Sequence, residues 1–248
     1  MSQRPAAVVF DVDGTLVDSE RHGHRVAFNA AFADAGLPHR WNEDRYGRLL
    51  AVPGGERRIR EFLLGEGYPA PEAEELAARL HAHKTALFRD LAAQGRIPAR
   101  PGTERLLDEL AEAGTPVAVA TTGSRAWVEP LLDRLFGLSR FVTVVAGDDV
   151  PALKPAPAAY HAVLDRLGEP ADAVVAIEDS ANGVAAARKA GVACLAVVND
   201  YTAGDDLEGA ALVVDRFGEP GRARVLAGPS DALERGAVTL GTLRRLLV

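Results

Sequence analysis

The 248-residue chain has a single cysteine, Cys194, which excludes an intramolecular disulfide framework and fits a reducing compartment. Cys194 falls inside an apolar strand candidate and reads as a buried thiol. No apolar run approaches the ~18 residues that a membrane span needs, and the first residues lack a signal-peptide layout. Basic residues are in the minority: 28 Lys and Arg stand against 35 Asp and Glu, for a net charge of −7. They are scattered rather than clustered, which argues against nucleic acid or an anionic membrane surface as a partner. There is no internal repeat and no low-complexity block. These absences lead us to expect a cytoplasmic protein, a monomer, acting on a small molecule. An acidic protein that handles an anionic substrate needs a cation or a local basic pocket.

The composition is ordinary for a globular protein, with 48% apolar and 25% charged residues. The length allows one large domain, or one domain carrying a smaller insertion. Short β-rich runs at 6–10, 116–120, 141–146, 173–177, 193–198 and 210–214 alternate with helical patterns. Several runs are almost continuously apolar, as in strands buried on both faces of a parallel sheet. Thr103 is placed to cap a helix carrying Leu106, Leu107 and Leu110, and Gly114 to stop it. The stretches 157–167 and 180–190 have the same character, with Gly168 and Gly191 as stops. This alternation predicts an α/β fold, a doubly wound, Rossmann-like parallel sheet.

Residues 19–97 interrupt that rhythm. They hold no strand signal, but three helical patterns: 24–35 with Phe28 and Phe32, a short one over 56–64, and 71–94 with Leu76, Leu80, Leu87 and Leu91. The apolar stripes read as core packing. The expectation is an inserted all-helical cap domain over 19–97, with the α/β core formed by 1–18 and 98–248. After Gly218 the signal weakens, with faint helical periodicity from 231 onward.

Four motifs carry chemistry. Asp11-Val12-Asp13-Gly14-Thr15 ends the first strand candidate. If Asp11 and Asp13 share one side of a strand, about 4 Å apart, they repel by about 4 kcal/mol at an effective dielectric of ~20. A cation, or a proton on one of them, relieves that. Taken alone, the pair also fits a strand-end turn. Thr121-Thr122-Gly123-Ser124 follows the second strand; its hydroxyls and backbone N–H groups suit phosphate oxygens, or simply cap a helix. Lys154, held between Leu153 and Pro155, could offset charge on a transferring phosphoryl group or be an ordinary surface lysine. Glu178-Asp179-Ser180 adds carboxylates suited to Mg²⁺, with Ser180 placed to cap the next helix. Each motif follows a strand of one sheet, so a parallel sheet gathers all four at one edge.

In that order and spacing the chain resembles the haloacid dehalogenase superfamily, with the helical cap inserted after the first motif. The resemblance implies a phosphatase using an aspartyl-phosphate intermediate. Asp11 would be the nucleophile and Asp13 the acid/base. Thr121 would bind the phosphate and Lys154 would stabilise its charge. Asp11, the Asp13 carbonyl, Asp179 and, through water, Glu178 would hold Mg²⁺.

Within 19–59 the order Glu20–His24–Arg25–Phe28–Asn29, then Trp41–Tyr46–Leu49-Leu50, then Gly54-Gly55–Arg57-Arg58 is similar to CbbY-type sugar-bisphosphate phosphatases. That likeness implies a substrate such as xylulose-1,5-bisphosphate. Glu20, His24 and Tyr46 would meet sugar hydroxyls, and Arg57 or Arg58 the second phosphate. Gly54, Gly55 and Thr122 complete the implied substrate set. One position departs from the pattern. Glu56 follows Gly54-Gly55 where the family carries a lysine, which leaves monophosphate and bisphosphate substrates both open. Two further readings stand beside the phosphatase: a sugar phosphomutase of the β-phosphoglucomutase kind, and a non-enzymatic binding module. His22 with His24, and His81 with His83, are spaced two apart, which does not favour one helical face, so zinc is not expected.

Overall fold

The computed structural model describes residues 4–52, 54–218 and 221–247. Pro53, between the aromatic and Gly-Gly segments, and Val248, in the faintly helical tail, lie outside the described residues. The chain divides into two compact units, Met1–Asp18 with Ala99–Val248, and Ser19–Pro98.

The strands of the first unit are β1 (Ala7–Phe10), β2 (Val117–Ala120), β3 (Phe141–Val145), β4 (Val174–Glu178), β5 (Ala193–Val197), β6 (Leu212–Val214) and β7 (Val225–Ala227). They form one sheet in the order β3-β2-β1-β4-β5-β6-β7. The first six are parallel, and β7 runs antiparallel to β6. β1 reads Ala-Val-Val-Phe with every residue buried, which is why it can sit at the centre, covered on both faces. The order reverses between β1 and β4, so a crevice opens at their carboxyl ends.

The helices are α1 (Arg25–Asp34), α2 (Glu43–Leu49), α3 (Gly55–Gly65), α4 (Ala70–Ala93), α5 (Thr103–Glu112), α6 (Arg125–Phe136), α7 (Ala158–Leu167), α8 (Ala181–Lys189) and α9 (Leu240–Arg244). Tyr160 and Val163 of α7 and Val184 and Ala187 of α8 pack with Ala7, Val9, Ala118, Ala120 and Ala176 of the sheet. Cys194, in β5, is buried in the same cluster, and burial pushes its thiol pKa up.

Three expectations shift. Thr103 does not cap α5: Gly102, left-handed at φ +85°, takes the cap position and Thr103 becomes the first helical residue, buried. β7 was not expected, because an edge strand exposing Leu226 lacks an apolar run. Among the described residues of the tail, only Leu240–Arg244 is helical, capped by Thr239 accepting from the Thr242 N–H at 3.1 Å.

The second unit contains a short π-helical turn at Glu20–His24 followed by α1–α4. Its centre is aromatic. Trp41 is fully buried, with ring centroids 4.9 Å from Phe28, 4.9 Å from Phe32 and 5.1 Å from Phe62. Asn29 clamps the Trp41 backbone at both ends, donating to its carbonyl (2.8 Å) and accepting from its N–H (2.7 Å). α2 was not singled out in the sequence, since Glu-Asp-Arg-Tyr-Gly-Arg-Leu shows no stripe; its single buried residue is Tyr46. In α4 the buried line is Ala73, Ala77, Leu80, Lys84, Phe88 and Ala92. Leu76, Leu87 and Leu91 only flank it.

Because Trp41 is enclosed by the rings of Phe28, Phe32, Phe62 and Tyr46, truncation should leave a large cavity. Trp41→Ala is expected to cost about 3–5 kcal/mol in urea unfolding followed by far-UV circular dichroism. A loss below about 1 kcal/mol would show that the aromatic cluster is not the unit's core.

Candidate active site

The first element is the end of β1. The strand stops at Phe10, and the Asp11 N–H donates to the Ile177 carbonyl of β4 at 3.0 Å, which draws the two strand ends together. From Val12 the chain turns tightly: the N–H groups of Thr15, Leu16 and Val17 all donate to the Val12 carbonyl. Asp11 and Asp13 thus lie beyond the end of β1 at Phe10 rather than within the strand. Asp13 is the least of the influences on Asp11; Glu178 is the stronger like charge.

The second element is Lys154, whose side chain is 4% exposed. Its Nζ donates to Asp11 Oδ1 at 2.6 Å, Glu178 Oε1 at 2.6 Å and the Ala120 carbonyl at 2.8 Å. All three ammonium protons are thus used, and this lysine is no surface residue. Tyr160, fully buried on α7, donates its hydroxyl to the same Glu178 Oε1 at 2.5 Å.

The third element is β4 and its exit. Glu178 is its last residue and Asp179 follows it. Ser180 caps α8 as expected, accepting from the Gly183 N–H at 3.2 Å. Carboxylate oxygens of Asp11, Glu178 and Asp179 lie within 4.8 Å of one another, all three residues buried.

The electrostatics follow from this crowding. Burial pushes the Asp11 carboxyl up to about 8; Lys154 pulls it down, and Glu178 and then Asp13 push it up again. Asp179 is likewise raised by burial, by Asp11 and by Glu178, against the pull of Arg100. Burial alone would lower the Lys154 pKa, but Asp11 and Glu178 outweigh it and hold the ammonium charged. Burial and then Glu178 raise the Tyr160 phenol, so it stays a donor. Three carboxylates around one ammonium leave a deficit of positive charge.

A divalent cation fits that deficit. The donors are hard oxygens, the number suits Mg²⁺, and Glu178 Oε2 is buried with no hydrogen-bond partner. Two glycines make the room. A Cβ on Gly14 would stand 2.2 Å from Asp179 Oδ2, and one on Gly183 would stand 1.9 Å from Glu178 Oε2.

The fourth element is the turn after β2. Thr121 is buried, and its Oγ1 accepts from the Gly123 N–H at 3.0 Å; Thr122 is exposed. The expected set of open N–H groups is smaller than the sequence suggests. That of Gly123 is engaged by Thr121, and that of Arg125, at the start of α6, donates to Asp148 at 2.8 Å.

The remaining expected residues lie in the helical unit. Tyr46 is fully buried and donates its hydroxyl to Glu20 Oε2 at 2.5 Å. His24 stacks on Phe88 at 3.9 Å, and Lys84 Nζ donates to its Nδ1 at 2.8 Å. Gly54, at φ +84°, takes the cap position before α3, and Gly55, its first residue, lies where a Cβ would stand 2.8 Å from the His81 ring. Of the two arginines, Arg57 is exposed. Arg58 is buried, its Nε donating to the Leu49 carbonyl at 2.9 Å and its guanidinium 5.7 Å from the Tyr46 ring centre. Glu56 turns toward His81, 3.8 Å from Nδ1.

Sequence reasoning missed Lys84, Tyr160, Arg100 and Asn199. Lys84 had a signal: it is the one cation on the buried line of α4. The other three had none, since their partners are far away in the chain.

The family profile described as haloacid dehalogenase-like hydrolase matches residues 5–191. The protein CbbY of Cupriavidus necator is 41% identical over 220 residues, covering 86% of each chain. A crystal structure of a CbbY mutant from Rhodobacter sphaeroides, in complex with xylulose-(1,5)bisphosphate, superposes with a TM-score of 0.73 at 40% identity, covering 87% of this chain and 96% of that one. A putative β-phosphoglucomutase from Thermotoga maritima gives a TM-score of 0.67 at 30% identity, covering 84% of this chain and 93% of that one. The chain belongs to the haloacid dehalogenase-like hydrolase family, resembles the CbbY proteins within it, and is an enzyme of the phosphatase kind.

Proposed function

We propose that the protein is a Mg²⁺-dependent phosphatase of small phosphorylated sugars, with xylulose-1,5-bisphosphate and its like as the favoured substrate class. The observation that carries this reading is the Lys154 ammonium joined at 2.6 Å to both Asp11 and Glu178, with Asp179 beside them at the sheet's switch point.

Asp11 is the nucleophile: an oxygen of its carboxylate attacks phosphorus, the phosphorus–oxygen bond to the sugar breaks, and an aspartyl-phosphate forms. Asp13 donates a proton to the departing sugar oxygen. It then takes a proton from the water that attacks the aspartyl-phosphate, releasing inorganic phosphate and restoring Asp11. Because Thr121 Oγ1 accepts from Gly123, its own proton is available to a phosphate oxygen. Lys154 orients Asp11 and stands where charge builds on the transferring group. Asp11, the Asp13 carbonyl, Asp179 and Glu178 would hold Mg²⁺, which supplies the missing positive charge and polarises the phosphoryl oxygens.

Recognition of the sugar falls to the helical unit in this reading. Glu20, His24 and Tyr46 address hydroxyls, and Gly54, Gly55 and Arg58 or Arg57 address a second phosphate, with Thr122 contributing from the core. The complex of the Rhodobacter sphaeroides protein with xylulose-(1,5)bisphosphate supports the choice of substrate class. The mutase reading differs only in the acceptor of the phosphoryl group, so product analysis separates them: free phosphate favours the phosphatase, an isomerised sugar phosphate the mutase.

A phosphate-release screen across pentulose and hexose mono- and bisphosphates tests the reading. Asp11→Asn is expected to abolish turnover while leaving the circular dichroism spectrum unchanged; activity near wild type would remove Asp11 as nucleophile.

Metal and pH are linked through the raised Asp11 and Asp179. An ordinary Asp ionises near pH ~3.9 when unfolded, whereas Asp11 in the fold does so at about 8. Between those values the folded state holds more protons, so these groups favour the fold at low pH and that contribution is lost as pH rises toward 8. Mg²⁺ offsets the exposed repulsion. Its effect on the melting temperature should therefore be larger at pH 8 than at pH 6; an equal or reversed effect would contradict the assignment.

Glu56 bears on the substrate. Glu56→Lys should raise the preference for bisphosphate over monophosphate, in kcat/KM, by about tenfold, the scale of a two-unit charge change near a partly solvated phosphate. An unchanged ratio would place Glu56 away from the second phosphate.

A further inference from the structure

The carboxylate of Asp179 has a partner that no motif announces. Asn199, two residues past the end of β5, donates from Nδ2 to Asp179 Oδ2 at 2.7 Å. The amide cannot turn the other way, because its Oδ1 accepts from the N–H groups of Tyr201 at 2.9 Å and Thr202 at 3.2 Å. The Asn199 N–H is in turn held by Thr202 Oγ1 at 3.1 Å. The loop after β5 thus fixes an amide donor against one oxygen of Asp179.

A second set of contacts holds both sides of this pair in place. Arg100, largely buried, donates to the carbonyls of Gly14 (2.6 Å), Val197 (2.9 Å) and Val198 (2.7 Å). One guanidinium therefore ties the turn after β1 to the end of β5. Gly14, at φ +77°, gives the close approach: a Cβ there would lie 2.2 Å from Asp179 Oδ2 and 2.9 Å from Asn199 Nδ2. The glycine of the first motif makes space for the amide–carboxylate contact.

We propose that Asn199 is a positioning residue for the cation site: by claiming one oxygen of Asp179, it orients the other as a ligand and so sets metal affinity. The inference rests on the reading of Asp179 as a metal ligand. Donors that fix ligating groups from behind typically govern affinity by about 10–100-fold. Arg100 supports the same arrangement through the backbone, and Asn199 itself touches neither substrate nor phosphoryl group in this scheme.

Two substitutions separate the amide from the loop. Asn199→Ser keeps an oxygen for the Tyr201 and Thr202 N–H groups but is too short to reach Asp179. Asn199→Ala loses both. Mn²⁺ and Mg²⁺ binding would be titrated calorimetrically in the absence of substrate, with the melting temperature of the metal-free protein followed alongside. The expected result is a loss of affinity of about tenfold or more in both variants. In Asn199→Ser the metal-free melting temperature should fall less than in Asn199→Ala, because the loop hydrogen bonds are kept. Its kcat should recover at excess Mg²⁺, with the KM for sugar phosphate unchanged. Wild-type affinity in Asn199→Ser, with loss confined to Asn199→Ala, would overturn the proposal and leave Asn199 a loop residue. A kcat that excess Mg²⁺ does not restore would also overturn it. A wild-type protein that binds neither cation would overturn the metal reading, and this inference with it.

Discussion

A single buried ammonium organises the catalytic unit. Lys154 spends its three protons on Asp11, Glu178 and the Ala120 carbonyl, and so joins the ends of β1, β2 and β4. Removing such charges from water is costly, and a lone ammonium among apolar strands would not be tolerated. It is stable here because every proton is satisfied and two carboxylates face it. The same arrangement leaves a remainder: Asp179 brings a third carboxylate within 4.8 Å of the other two, and one lysine cannot balance three acids. Burial first, and then the neighbouring acids, raise Asp11 and Asp179 against the pull of Lys154.

The sheet makes this crowding possible. Parallel strands buried on both faces end at one edge, and the order reverses at β1 and β4, where the turn chemistry concentrates. Small residues do much of the positioning. Gly14 and Gly183 leave room for carboxylate oxygens that a methyl group would displace, and Ser180 starts α8 immediately after Asp179. Around this centre Tyr160 and Asn199 each donate to a carboxylate, so that Glu178 and Asp179 are both oriented from behind.

The helical unit obeys a different rule. Its stability is centred on Trp41 and the rings around it, and its polar groups are placed by that core. Tyr46 is at once a core residue and the donor to Glu20. Arg58 lies over the Tyr46 ring with its Nε tied to the Leu49 carbonyl, whereas Arg57 faces solvent. The buried arginine is thus tied to its neighbours by a carbonyl and a ring.

The sequence by itself determined the class of fold and the class of chemistry. Several of the six strand runs are almost continuously apolar, as strands of a covered parallel sheet are, and Asp11, Thr121, Lys154 and Asp179 each follow one of the six. It also marked most helix ends, because glycine tolerates the left-handed backbone needed there, as at Gly36 (φ +70°) and Gly168 (φ +69°). Tertiary structure alone decided which acids crowd Asp11. The Asp11–Asp13 pair is close in the chain, but the strand ends at Phe10 and it is Glu178, 167 positions away, that faces Asp11 across Lys154. It alone decided that Lys84 meets His24, that Tyr160 holds Glu178 and that Asn199 holds Asp179. The reason is physical. Periodicity and turn chemistry are local and can be read along the chain, whereas the charge balance of a buried site is a sum over neighbours that only the folded arrangement brings together.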